Sequence, residues 1–466
     1  MSQFKEIPSI AIAIVKDDNV IFKKVYGYSD VRNGIMSTTS TSYYIASTTK
    51  SFVGLLIAQL ADEMLFDLND EITKFSPIKN FKNQAIFKGV TIKDLISHTS
   101  GIGNDYLTWR YSSEGEYTTK DLINALEHKT YSLNNYKNFR YNNFGYNVID
   151  LILSEEFNLN WKKLLDKKVF KPLNMKHTSA YLSDAENNNW NYALPYVSVN
   201  ANREPHLTTT QKNDATFHAA GGIISSIDDM ANWLLMNMNQ GKFKGRKVFN
   251  ENVITKAHAK ATEGNGNFGM FNANGYSLGW TNGSFGKHEA VFHYGGFDGA
   301  ASMISWLLKD NLGLVIIVNE SHFGKGFSDL VGSFAYDILL GNVKSIEDYN
   351  TKTNAFKEKV ESKQGFDKWD ENNRAKLSWN LKYNFKNYIG TYVHPYAGKL
   401  HIKLNEKGDI IANIGISTAK ASPSQNDDAM RVEFRDGRGH NIQFVRGKRG
   451  EMVAAIFGGD VYYFVE

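Results

Sequence analysis

Ser47 and Lys50 stand three residues apart at the head of YYIASTTKSFVGLLIAQLADEML, residues 43–65. On a helix that spacing puts both side chains on one face. The serine lies nearer the N-terminus, where free backbone N–H groups and the helix dipole favour developing negative charge. From Phe52 to Leu60 only Gly54 and Gln59 interrupt the apolar run, which predicts a helix buried on nearly all sides. An ammonium at the root of such a helix is costly unless paired, and burial lowers its pKa. A lysine made neutral in this way can accept the proton of a serine hydroxyl, otherwise a poor nucleophile. The chemistry would be acyl transfer through serine. The bland alternative is a lysine that snorkels to water from the end of a core helix.

S-x-x-K is unspecific by itself. It occurs at Ser2/Lys5, Ser47/Lys50, Ser76/Lys79, Ser284/Lys287 and Ser417/Lys420, and only the second opens a long apolar helix. In NFRYNNFGYNVIDLIL (138–153), Tyr141 and Asn143 fall in a loop just before an apolar-periodic helix. A tyrosine near a lysine can share its proton transfers, and an asparagine can bind a substrate amide. A surface tyrosine packed on that helix is the plainer reading, and Tyr136/Asn138 repeats the spacing further upstream. In VFHYGGFDG (291–299), His293 ends a predicted strand before Gly295 and Gly296. Glycines there let a ligand approach the strand edge, and the Gly296 N–H could complete an oxyanion hole with that of Ser47. A structural histidine is the alternative.

These segments need a scaffold, and the pattern supplies one. Residues 8–27 read as a hairpin turning at Asp17-Asp18-Asn19, followed by the buried helix at about 47–64. Residues 66–260 alternate helical patterns with polar loops, among them a helix capped by Ser226. Strand character returns over 276–320, with a helix at 326–340. The expected layout is a main domain at 1–340, a charged helical linker at 341–383 and a tail domain at 384–466. The tail alternates apolar and polar residues between Gly and Asp breaks, as short antiparallel strands of a small barrel do. The fold class is thus α/β, an antiparallel sheet flanked by helices with a helical subdomain, plus a C-terminal all-β barrel. Loops such as GNDYLTWRYSSEGEY (103–117) are expected to rim the pocket.

Composition narrows the function classes. A formal charge of +4 on 466 residues, with RGKRG (446–450) as the densest basic stretch, argues against a nucleic-acid surface. No apolar run reaches the ~18 residues of a membrane span. Zero cysteines exclude a thiol nucleophile, disulfides and thiolate zinc, and the twelve histidines show no metal-ligand spacing. No cofactor or metal is expected. The start, MSQFKEIPSIAIAIV, lacks a signal-peptide layout. Localisation stays open: periplasmic or secreted if a signal has been removed, otherwise cytoplasmic.

Taken in order, S-x-x-K, then Y-x-N about ninety residues on, then H-x-G on a late strand resemble the serine β-lactamase and penicillin-binding-protein superfamily. The pattern is most similar to its class C β-lactamase, D-aminopeptidase and esterase branch. LISHTSGI (95–102), FKPLNMKHTS (170–179), AAGGIISSIDDMANWL (219–234), YSLGW (276–280) and NLGLVIIVN (311–319) extend the resemblance over most of residues 6–320. The tail from GTYVHPYAGKLHI (390–402) resembles the lipocalin-like domain of some peptidase members.

The resemblance implies a β-lactamase/transpeptidase-like fold. It implies Ser47 as the acylated nucleophile, Lys50 as its proton acceptor, and Tyr141 as a partner base that also serves the leaving group. Asn143 would bind the substrate amide, and Gly296 would pair with Ser47 in the oxyanion hole. His293-Tyr294-Gly295 stands where true β-lactamases have Lys-Thr-Gly, which favours a peptidase, D-residue-preferring or not, or an esterase. A true β-lactamase or DD-carboxypeptidase is the alternative within the superfamily. A non-catalytic β-lactam or cell-wall-fragment binding protein is the alternative of another class. A neutral His293 is expected to give a pH–rate limb near ~6.5. His98 is taken as structural, and the family's first helix as shortened. The implied partner is a small-molecule or peptide substrate, with homo-oligomers through the tail domain.

Overall fold

The computed structural model describes residues 4–200, 202, 204–342 and 346–465. Its main body is built on a nine-stranded antiparallel sheet. The strands are β1 (Ser9–Lys16), β2 (Asn19–Asp30), β3 (Ile35–Met36), β4 (Thr262–Phe268), β5 (Phe271–Tyr276), β6 (Thr281–Phe285), β7 (His288–Phe297), β8 (Ala300–Leu307) and β9 (Leu312–Val318). Their order is β4-β5-β6-β7-β8-β9-β1-β2-β3, so the N-terminal hairpin joins the late strands through β1 on β9.

Both faces of this sheet are covered, which is why β9 reads as an unbroken apolar run, LGLVIIV. Alternation still decides which side each residue serves. Ala11, Ala13, Val15, Val315 and Ile317 belong to one core, with helices α1 (Thr49–Asp62) and α3 (Ile227–Met238). Ile10, Ile12, Leu314, Ile316 and Val318 face the other, with Phe327 and Tyr336 of α4 (Gly324–Leu339) and Val360 of α5 (Ile346–Arg374). Helix α2 (Phe144–Phe157) packs its apolar face into the first core.

Helix α1 is enclosed as its composition demands: Phe52, Val53, Leu55, Leu56, Ile57 and Ala58 have no exposed surface. The Phe52 ring stacks on Trp233 of α3 at 3.9 Å between centroids. Gly54 is fixed by close approach, since a Cβ there would lie 2.0 Å from the Leu278 carbonyl oxygen.

The tail forms a second nine-stranded antiparallel sheet. Its strands are β10 (Gly390–His394), β11 (Gly398–Leu404), β12 (Ile410–Ile414), β13 (Ser417–Lys420), β14 (Ser422–Pro423), β15 (Ala429–Val432), β16 (His440–Arg446), β17 (Met452–Phe457) and β18 (Asp460–Phe464). They run in the order β13-β12-β11-β10-β18-β17-β16-β15-β14. The two outermost strands are consecutive in sequence, so the sheet curls into a nearly closed barrel. Tyr392, Leu400, Ile402, Ile414, Met430 and Ile442 pack its interior.

Residues 103–117 depart from the expected pocket rim. They form a short helix and a π-helical turn that serve as the barrel's platform. Tyr106 donates to Asp460, Arg110 to the Tyr396 carbonyl, and the Ile416 N–H to the Glu114 carbonyl. Tyr106 and Trp109 pack against the barrel core while Tyr111 and Tyr117 join the first core, placements that local pattern alone does not distinguish from pocket lining.

Candidate active site

Ser47 sits in a single 3-10 turn, Ala46–Thr48, that runs directly into α1. Ala46 takes a φ of 45°, a left-handed conformation rare for a residue with a side chain. The surroundings hold it there. The Ile45 N–H donates to the Ile223 carbonyl at 3.0 Å. Ser302 of β8 donates to the Ile45 carbonyl at 2.7 Å, and its oxygen lies 2.8 Å from Thr48 Oγ1. One buried serine therefore braces the chain on both sides of the nucleophile. Ser47 itself is half-buried, at the cleft floor.

Lys50 is fully buried. Its Nζ lies 3.1 Å from Ser47 Oγ, 2.8 Å from Asn143 Oδ1 and 2.6 Å from the Ala220 carbonyl oxygen. Burial holds its pKa well below the ordinary lysine value. The two carbonyl-type oxygens can only accept, so they take the two hydrogens of a neutral amine and leave its lone pair for the Ser47 hydroxyl. That is the arrangement a general base requires.

Tyr141 completes this group. Its ring is 4.9 Å from Lys50 Nζ, and its hydroxyl lies near Ser47. The residue is 43% exposed because its ring lines the cleft, while desolvation at the hydroxyl holds the pKa above the usual phenol value against the Ser47 hydrogen bond. A phenol that keeps its proton can relay protons between Lys50 and a leaving group. Tyr136, the competing tyrosine, donates instead to the Gly89 carbonyl.

His293 departs from expectation. It is buried, with Nδ1 2.6 Å from the Tyr294 carbonyl and Nε2 3.1 Å from Tyr276 Oη. The carbonyl can only accept, so Nδ1 carries the hydrogen and Nε2 accepts from Tyr276. Burial, then the neighbouring Lys50, push its pKa down to about 3. Burial thus works against a limb near 6.5 from His293. It orients Tyr276 rather than titrating beside the substrate.

Strand β7 supplies the glycines. β6 pairs with it only as far as Phe292, so from His293 onward one edge of β7 is left to the Ser47 turn. A Cβ on Gly295 would fall 2.1 Å from the Ile45 carbonyl oxygen and 2.3 Å from Ser302 Oγ. Gly296 is exposed and faces open space. Tyr294 points to the other side of the sheet, its hydroxyl donating to Asp329 of α4.

His98, taken from the sequence as structural, packs beside Tyr141, whereas the sequence did not show which residues wall the cleft. His98 is buried, also with a positive φ (61°), and its ring lies 4.4 Å from that of Tyr141. Its Nδ1 accepts from the Asn142 N–H at 3.4 Å, while Nε2 has no partner among the described residues. The cleft, a cavity of about 640 Å³, is walled by the β4–β5 hairpin and by Arg435, Asp436 and Arg438 of the barrel. Of the other S-x-x-K serines, Ser2 lies outside the described residues. Lys79 and Lys420 pair with Glu156 and Asp409.

This fold and constellation are those of the serine β-lactamase and penicillin-binding-protein-like superfamily. The chain belongs to the beta-lactamase family, whose model matches residues 1–330. It is 29% identical over 321 residues to "Protein flp" of Staphylococcus aureus (strain NCTC 8325 / PS 47), a match covering 67% of this chain and 60% of that one. It is 30% identical over 172 residues to "Teichoic acid D-alanine hydrolase" of the same species, covering 37% of this chain and 41% of that one. Among solved structures, the octameric penicillin-binding protein homologue from Pyrococcus abyssi aligns with a TM-score of 0.62 at 21% identity, over 99% of this chain and 96% of that one. D-amino acid amidase from Ochrobactrum anthropi SV3 aligns at 0.60 and 19% identity, over 72% of this chain and 95% of that one. The chain spans about 60% of the length of the "Protein flp" relatives. Among the described residues, no helix is long and apolar enough to cross a membrane.

Proposed function

We propose that this protein is a serine hydrolase that cleaves an amide or ester bond of a small aminoacyl or peptidyl substrate through an acyl-enzyme on Ser47. The observation that carries the reading is the buried Lys50 amine, with two acceptors besides Ser47 Oγ. Lys50 takes the Ser47 proton as the acyl bond forms, and Tyr141 passes a proton to the leaving group. The N–H groups of Ser47 and Gly296 hold the oxyanion.

A peptidase or esterase is favoured over a β-lactamase. Tyr294 commits its hydroxyl to Asp329, and His293 presents no cation to a substrate carboxylate. The amidase and D-alanine hydrolase named among the similar proteins support an amide or ester acyl donor with D-residues in the first rank. Assembly through the barrel is part of the proposal. The test is steady-state hydrolysis of matched D- and L-aminoacyl amides, aminoacyl esters and penicillins. Turnover of amides or esters above penicillins, abolished in Ser47→Ala, is expected. Acylation of Ser47 without turnover of any of them would favour a binding protein.

A further inference from the structure

We infer that the barrel helps to position the oxyanion strand through one ion pair, Arg435–Asp298, which makes Arg435 a positioning residue for the reaction proposed above. Asp298 lies two residues after Gly296, in the Asp298-Gly299 turn between β7 and β8. Arg435 lies in the β15–β16 loop, beside Phe434, which is buried in the barrel core. Its Nε and one terminal nitrogen each approach a different Asp298 oxygen at 2.6 Å. Thr210 Oγ1 donates to the same carboxylate at 2.6 Å and also approaches the Phe434 carbonyl at 3.4 Å. The guanidinium stands 5.0 Å from the centre of the Phe297 ring, so it clasps the last residue of β7 together with the first of the turn.

The free edge of β7 gives this clasp its importance. Beyond Phe292 the strand has β8 on one side only. Its glycines are placed by β8, by contact with Ile45, and by whatever holds the turn at its end. The turn is held on the body side by the Gly299 N–H donating to Ser321 Oγ at 3.0 Å. On the barrel side it is held by Arg435. A bidentate arginine–carboxylate pair fixes orientation as well as distance. An oxyanion donor contributes only when aimed at the developing charge, and a misplacement near 1 Å costs on the order of a hundredfold.

The loop bearing Arg435 is itself pinned to the body. Asp436 accepts from Thr208 Oγ1 at 2.9 Å and from the Thr209 N–H at 2.7 Å. Loss of the arginine side chain therefore leaves the loop docked and the turn held by Thr210 and Ser321 alone.

The experiment measures kcat and KM of full-length Arg435→Ala, Arg435→Lys, Asp298→Asn and the Arg435→Ala/Asp298→Asn double variant on a small neutral ester, with thermal melts alongside. The expected result is a tenfold to hundredfold fall in kcat for Arg435→Ala, with KM changed less than about threefold. Arg435→Lys should lie between, and the double variant should be no worse than the poorer single one. Trapping of Ser47 by a phosphonate, whose oxyanion mimics the intermediate, should slow in proportion to kcat. Unchanged kcat in folded Arg435→Ala would overturn the inference. So would a rise in KM at constant kcat, which would make Arg435 a substrate contact. Should Arg435→Ala not fold, Arg435→Lys and Asp298→Asn carry the same comparison. Failure of the hydrolase reading looks different: wild type itself would leave Ser47 unmodified.

Discussion

Lys50 Nζ lies 3.1 Å from Ser47 Oγ, and its other two neighbours at hydrogen-bond distance, Asn143 Oδ1 and the Ala220 carbonyl oxygen, can only accept. A buried lysine held by two acceptors with no carboxylate among those contacts is poised to be neutral, and its lone pair has one place to go. This explains why the most enclosed helix of the chain begins with a lysine.

The first consequence is a pH dependence. Lys50 must lose its proton to act, and burial lowers its pKa, so acylation should rise with pH through a value below the ordinary lysine range. Asn143→Asp places a negative charge beside the ammonium and should move that rise to higher pH. Lys50→Arg cannot be neutralised and should lower the acylation rate roughly 10²- to 10⁴-fold. Single-turnover acylation from pH 6 to 10 measures all three.

His293 gives a prediction about stability rather than rate. Its native pKa is pushed to about 3, while in the unfolded chain it returns toward 6.5. As pH falls from 6.5 toward 3, the unfolded state takes a proton that the native state refuses. Stability is therefore lost across that window, by roughly 4–5 kcal/mol at its acid end. His98 and His218 are lowered in the same direction by burial. Denaturant melts at pH 7 and pH 4 should show a smaller acid loss in His293→Gln than in wild type. Equal losses would mean that His293 is not buried neutral.

Two adjacent glycines should behave differently. Gly295→Ala drives a Cβ against the Ile45 carbonyl and Ser302, the groups that hold the nucleophile turn, and should lower kcat about a hundredfold. Gly296→Ala meets nothing within 4 Å and should leave the melting temperature unchanged. Thermal melts and kcat for the pair distinguish steric support from mere cleft lining.

Much of this was legible in the sequence, because strong periodicity reports burial. The helix under Lys50 and the late strands follow from it, as does the pairing of serine with lysine. The resemblance placed Tyr141, Asn143, His293 and Gly296 in one site, and the structure brings them together. What stayed hidden has physical causes. The hairpin TEGNGNFGMFNANGY is too rich in Gly and Asn to alternate, although it walls the cleft. Ser302 and Ala220 act through a hydroxyl and a carbonyl whose places depend on segments 170 or more residues away. EFRDGRG (433–439) reads as a surface turn, and only docking of the barrel shows that Arg435 reaches Asp298. The ionisation of His293 depends on burial, which residue type does not reveal.

The measurement that bears most directly on the central claim is intact-protein mass after treatment with a small phosphonate serine trap, on wild type, Ser47→Ala and Lys50→Arg. A single adduct on wild type, absent in Ser47→Ala and slowed by roughly 10²-fold or more in Lys50→Arg, is the predicted result. An unmodified wild type, or an adduct that persists in Ser47→Ala, would contradict an activated nucleophile at Ser47.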